Sequence, residues 1–219
     1  MPKILGIDEA GRGPVIGPMV MCGYMIESSK KSVLKRIGVR DSKLLSSRKR
    51  ESLFGALKEH AAGYQVVSIS AREIDLLRNE TNLNKIEIEK MKLMINSMKP
   101  DVAIIDAPEA NTKQFAKKIA SGLSCECRVV AENFADRKYP EVGAASIIAK
   151  VTRDKEIEQL ARSHGEIGSG YPSDPVTMEF LKNWLKRNKE FPDFVRKSWM
   201  TAQVMKREKE QTRLGKFAM

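Results

Sequence analysis

Histidine occurs twice and cysteine three times in 219 residues, and aromatic side chains make up 6% of the chain. Three cysteines, Cys22, Cys125 and Cys127, are an odd number, and the Cys-x-Cys pair lacks zinc-ligand spacing. Reduced, structural thiols are therefore expected. His60 and His164 each fall near the end of a predicted helix, which leaves no Ser-His-Asp or Cys-His arrangement to compete for the chemistry. The longest charge-free stretch, Gly13 to Ile26, is interrupted by Pro14 and Pro18 and is shorter than the roughly 20 apolar residues of a membrane span. Met1-Pro2-Lys3 runs straight into a strand-like segment, without the apolar core and cleavage site of a signal peptide, so a cytoplasmic protein is expected. No internal repeat interrupts the chain.

What is abundant is positive charge. Thirty-nine Lys and Arg against 28 Asp and Glu leave a net +11, while a 42% hydrophobic content belongs to a folding chain rather than a disordered one. Residues 182 to 219 alone hold 11 basic and 4 acidic side chains. Such a surplus suits a polyanionic partner, nucleic acid before membrane because no amphipathic anchor stands out. At roughly 150 residues per domain, the length allows one domain with an appendage or two small ones.

Periodicity predicts strands at Lys3 to Asp8, Pro18 to Ile26, Tyr64 to Ser70, Val102 to Ile105 and Cys125 to Ala131. Helices are predicted from about Ser47 to Ala62, after a Ser70 capping box, from Leu83 to Met98, from Asn111 through Leu123 and from Ala144 to about Ser163. Asp174 followed by Pro175 marks a further helix start, after the turn-rich segment 165–175. Three early strands followed by alternating strands and helices imply an α/β fold with a mixed sheet covered by helices.

Several acids sit where predicted strands end. Asp8 and Glu9 close the first strand ahead of a glycine-rich loop, Asp106 closes a fully apolar one, and Asp136 follows the last. Functional groups of α/β sheets collect where strands end and connections begin. Gathering carboxylates alone would be unfavourable, since like charges raise one another's pKa, but hard divalent cations accept oxygen ligands and neutralise the cluster. A basic protein around an acidic metal site suits two-metal phosphodiester hydrolysis, with Mg²⁺ or Mn²⁺ as cofactor.

The ordered series Asp8-Glu9-Ala10-Gly11-Arg12-Gly13-Pro14, Asp41-Ser42-Lys43, Asp106, Asp136-Arg137-Lys138-Tyr139-Pro140, Ala144 to Lys150 with Arg153-Asp154, and Gly168-Ser169-Gly170-Tyr171-Pro172 resembles the successive signatures of the ribonuclease HII family, archaeal branch. The resemblance implies an RNase H-like fold with a five-stranded mixed sheet and a C-terminal helical extension. It implies a metal-dependent endonuclease that hydrolyses the RNA strand of RNA/DNA hybrids and cuts 5′ to single ribonucleotides embedded in duplex DNA, leaving 3′-hydroxyl and 5′-phosphate ends.

By the same resemblance Asp8, Glu9, Asp106 and Asp136 are the catalytic, metal-holding acids. Gly11, Arg12 and Gly13 form the loop that reads the 2′-hydroxyl, and Tyr171 packs at the junction sugar. Lys43, Ser146, Lys150 and Arg153 are candidate phosphate or framework contacts. Phe134 departs from the pattern, standing where relatives often carry a basic residue. The tail Gln211-Thr212-Arg213-Leu214-Gly215-Lys216-Phe217-Ala218 is similar to a sliding-clamp-binding box anchored by Gln211, Leu214 and Phe217, with Ala218 in place of the second aromatic. The expected layout is a catalytic domain over 1–165, a helical substrate-binding extension over 166–205 and a basic tail over 206–219, in a monomer. Two rivals remain open: a DNA nuclease of the same fold, against which the Gly11-Arg12-Gly13 loop argues, and a non-catalytic duplex-binding clamp adaptor.

Overall fold

In a computed structural model the described residues are 1–39 and 45–217, with side chains described to Gln211. Five strands, β1 (Lys3–Ala10), β2 (Met19–Glu27), β3 (Gly63–Ile69), β4 (Val102–Asp106) and β5 (Arg128–Glu132), form one sheet in the order β3-β2-β1-β4-β5. β1 runs antiparallel to β2 and parallel to β4, and β4 runs parallel to β5, so the sheet is mixed as expected. β2 follows β1 through a short loop and so can return antiparallel, whereas β4 and β5 are reached through helices.

The helices are α1 (Lys31–Arg36), α2 (Ser47–His60), α3 (Ala71–Arg78), α4 (Leu83–Met98), α5 (Thr112–Ala120), α6 (Ala135–Lys138), α7 (Pro140–His164), α8 (Pro175–Arg187) and α9 (Met200–Phe217). Ser46, Ser70, Asn82, Asn111 and Asp174 each cap a helix by accepting a bond from its first-turn backbone. Three expectations need correction. The last strand begins at Arg128, leaving Cys125 and Cys127 ahead of it, because its ladder starts where Val102 faces Arg128 on the short β4. α7 begins at Pro140, four residues before the small-residue run, since proline is tolerated at a first helical position. β1 runs on to Ala10, so Asp8 and Glu9 lie inside the strand rather than closing it, because its antiparallel ladder to β2 continues until Ala10 faces Val20.

Two compact units divide the chain. The first comprises residues 1–10, 20–68 and 82–152, and the second comprises residues 11–19, 69–81 and 153–219. In the first unit β2 is buried along nearly its whole length. Val20, Cys22, Tyr24 and Ile26 pack with Leu53 and Leu57 of α2 and with Ile147, Ile148 and Val151 of α7. On the other face, Gly23 lies against Leu5 of β1 and Met94 and Met98 of α4. Gly6 on β1 lets the first turn of α7 sit directly on the strand: a Cβ there would overlap the backbone of Glu141 and Val142. In the second unit Val15, Ile16, Ile167, Leu181, Leu185, Phe191 and Val195 form a separate core. Among the described residues no helix is long and apolar enough to cross a membrane.

Candidate active site

Parallel pairing of β1 with β4 puts Ile7 opposite Ile105, so Asp8, two residues before the end of β1, stands beside Asp106 at the end of β4. β5 adds the third acid through a stitched turn. Asn133 Nδ2 donates to the carbonyls of Ala107 at 2.7 Å and Glu109 at 3.0 Å, and the Ala135 N–H donates to Asp106 Oδ1 at 3.0 Å. Glu132 accepts from Lys138 Nζ at 2.7 Å and from the Tyr139 hydroxyl at 2.5 Å, which ties the far end of α6 back to β5. Phe134 takes the left-handed φ of 57° in between, and its ring is exposed under the Arg137 guanidinium. The result is that Asp8, Asp106 and Asp136 each bring a carboxylate oxygen within 4.8 Å of the others.

Asp8 and Asp136 are buried, 5% and 3% exposed, which matters because water cannot screen their charge. Burial first, then the neighbouring Asp106, raises the Asp8 carboxyl to about 7, while bonds from the Ser146 hydroxyl and the Glu9 N–H pull the other way and Asp136 adds further repulsion. The Glu9 N–H bond to Asp8 Oδ1 is 2.8 Å. Asp136 Oδ1 is buried without a hydrogen-bond partner. An orphaned anionic oxygen beside two further carboxylates is a donor set that fits a hard divalent cation.

Glu9, next to Asp8 on β1, is half-buried and is not among the three acids whose oxygens converge. Ser146, buried on α7, bonds Asp8, which makes it an orienting partner of that acid in this structure. Lys150 lies one turn further along α7, half-buried. Lys43 lies outside the described residues, as do the side chains of Leu214 and Phe217; Gln211 is exposed on α9.

The second unit holds the Gly11-Arg12-Gly13 loop and Tyr171. Gly11 has φ +80°, and a Cβ on it would collide with the Arg153 side chain and the Pro18 carbonyl. Gly13 is exposed, and the nearest atom to a Cβ there would be Tyr171 Cε1 at 3.7 Å. The Gly170 carbonyl accepts from the N–H groups of Val15 at 2.8 Å and Ile16 at 3.1 Å, joining the turn before Tyr171 to the segment after the loop. Arg153 donates to the Ser169 carbonyl at 3.0 Å and lies 5.3 Å from the centroid of the half-exposed Tyr171 ring. Sequence reasoning missed Arg196 and Trp199, which contact this loop. Nothing in the local sequence separates them from their basic neighbours; their role depends on a contact across more than 180 residues.

The family profile described as Ribonuclease HII matches residues 5–202. Ribonuclease HII of Pyrococcus horikoshii is 45% identical over 219 residues, covering 98% of this chain and 99% of its own length. A crystal structure of the ribonuclease H2 from Pyrococcus horikoshii superposes with a TM-score of 0.91 at 44% identity, covering 95% of this chain and 99% of that one. The ribonuclease HII chain of a complex with PCNA from Archaeoglobus fulgidus superposes with a TM-score of 0.83 at 39% identity, covering 90% of this chain and 94% of that one.

Proposed function

The chain belongs to the ribonuclease HII family, and from that premise we propose that Asp8, Asp106 and Asp136, with Glu9, are its catalytic metal-holding acids. It is an endoribonuclease acting on RNA/DNA hybrids and a metal-dependent hydrolase. The observation that carries the site assignment is the convergence within 4.8 Å of three carboxylate oxygens, from β1, the end of β4 and α6. The cofactor is Mg²⁺ or Mn²⁺, held as a pair of ions. Bound there, such ions would lower the pKa of water and offset charge on the phosphodiester.

This chain's own residues do the rest. Ser146 holds the Asp8 carboxyl in place, and the Ala135 N–H holds that of Asp106. The Gly11-Arg12-Gly13 loop presents backbone groups to a 2′-hydroxyl, the group that distinguishes RNA from DNA at a given position. Tyr171 packs against the sugar at the junction, and Lys43 and Lys150 contact phosphates. Residues 166–205 grip the duplex through phosphates. On single ribonucleotides in duplex DNA the cut falls on the 5′ side, leaving 3′-hydroxyl and 5′-phosphate ends.

The relative from Archaeoglobus fulgidus is described in complex with PCNA, which supports a sliding clamp as partner here, through Gln211, Leu214 and Phe217. The protein works as a monomer in the cytoplasm. The test is cleavage of a labelled DNA duplex carrying one ribonucleotide, beside an all-DNA control, with Mg²⁺, Mn²⁺ or chelator. The expected outcome is a metal-dependent cut 5′ to the ribonucleotide and none in the control. Equal cutting of both duplexes would favour a DNA nuclease, and tight binding without cutting would favour the adaptor.

A further inference from the structure

Arg196 is an arginine with no exposed surface, and its partners are all carbonyls. Its Nη2 donates to Gly11 O at 2.5 Å, Nη1 to Arg12 O at 2.9 Å and Nε to Gly17 O at 3.0 Å. The ring of Trp199 lies 4.7 Å from the guanidinium, and Trp199 Nε1 donates to Gly13 O at 3.1 Å. All of these residues belong to the second unit. Each carbonyl of Gly11-Arg12-Gly13 is thus taken by one of two side chains three residues apart. Burying a guanidinium is costly, and burial together with the neighbouring Arg153 presses its pKa down to about 9. Three carbonyl dipoles offset that cost only in one loop conformation.

The consequence for the loop follows from peptide geometry. Among the described residues every peptide bond is trans. In a trans peptide the carbonyl of one residue and the N–H of the next point in opposite directions. Anchoring Gly11 O and Arg12 O on Arg196 therefore turns the N–H groups of Arg12 and Gly13 to the opposite side of the loop. Gly13 is followed by Pro14, which has no N–H, so the Trp199 bond sets the exit of the loop rather than a third donor.

We infer that Arg196, assisted by Trp199, is the positioning residue that fixes the direction of the Arg12 and Gly13 backbone donors and thereby sets discrimination between ribonucleotide and deoxyribonucleotide. The inference rests on the reading that this loop meets the 2′-hydroxyl. Arg196 itself touches no substrate. It acts on selectivity, not on the affinity that phosphates give to any duplex.

The experiment compares the full-length protein with Arg196→Gln, Arg196→Lys and Trp199→Phe. It measures kcat and KM on a DNA duplex with one ribonucleotide, and affinity in chelator for that duplex and for its all-DNA counterpart. Arg196→Gln should lose about 10- to 100-fold in kcat/KM on the ribonucleotide duplex, as expected for losing hydrogen bonds to a charged group. All-DNA affinity should stay unchanged, so the ratio of the two affinities falls toward one. Arg196→Lys, which keeps the charge but not the three-pronged fork, should recover only part of the loss. Trp199→Phe removes one donor while keeping an aromatic ring, and should show a smaller loss of the same kind. It decides the matter if Arg196→Gln does not fold.

Parallel loss of affinity for both duplexes, or wild-type kinetics in folded Arg196→Lys and Trp199→Phe, would overturn the inference. If the unmodified protein itself fails to distinguish the two duplexes, the reading of the loop falls, and the inference with it. Wild-type discrimination that survives in the variants leaves that reading standing and rejects Arg196 alone.

Discussion

Asp136 carries the clearest expectation at the scale of single residues. Its Oδ1 is buried without a hydrogen-bond partner, and burial and Asp106 raise the pKa of Asp8 beside it. Asn has the same shape but no charge, so Asp136→Asn should fold normally and lose several kcal/mol of transition-state stabilisation, about a thousandfold in kcat. Steady-state turnover at saturating Mg²⁺ checks this; unchanged turnover would remove Asp136 from the assignment. The same variant should also lose heat of Mg²⁺ binding in calorimetry. Ser146→Ala should be milder, because it removes a single hydrogen bond to Asp8 and leaves the carboxylates in place. A drop in kcat within about tenfold is expected, measured on the same duplex. Asp106 stands out in the sequence because the end of β4 is visible as the close of an apolar run. Arg196 does not, because its role lies in three carbonyls from a loop about 180 residues away.

Elements place these residues, and two can be tested. α7 rests on β1 at Gly6, so Gly6→Ala should push the helix off the strand. Overpacking of this kind costs about 1–3 kcal/mol. A lower unfolding midpoint in denaturant, with reduced turnover through Ser146, is the expected outcome. The cap of α8 gives a pH dependence. Asp174 accepts from the N–H of Ser169 at 2.6 Å, its hydroxyl at 2.7 Å and the N–H of Val176 at 3.0 Å. These bonds, the Ser169 N–H first, lower its pKa from 3.8 to about 2. A depressed folded pKa means the stabilisation is fully present above the ordinary carboxylate value and lost as pH falls through about 2. Asp174→Ala should therefore melt at lower temperature than the wild type at pH 7, and the difference should shrink between pH 4 and pH 2. A gap independent of pH over that range would show that the ionised carboxylate is not what holds the turn. The Asp174-Pro175 start was visible in the sequence through cap chemistry. α6 was not, since one turn of helix has no period and forms here because Asp106 accepts from the Ala135 N–H.

At the scale of the molecule, the net +11 should make duplex binding fall steeply and linearly in log affinity against log salt, irrespective of ribonucleotide content. A titration of all-DNA duplex from low to physiological salt checks it, and a flat response would exclude phosphate contacts as the main grip. The sequence by itself determined the five strands, most of the helices, the mixed sheet and Asp106 at the end of a buried apolar strand, because alternation, caps and apolar runs are local properties written along the chain. Glycine at 11 likewise announced a close approach, of the Arg153 side chain and the Pro18 carbonyl. Only the tertiary structure decided which acids converge. Parallel pairing of β1 with β4 joins Asp8 to Asp106, and the stitched turn after β5 delivers Asp136, while Glu9 is not among the converging three. It alone decided what holds the Gly11-Arg12-Gly13 loop, because a buried cation finds its acceptors through the fold and leaves no periodic trace in the sequence.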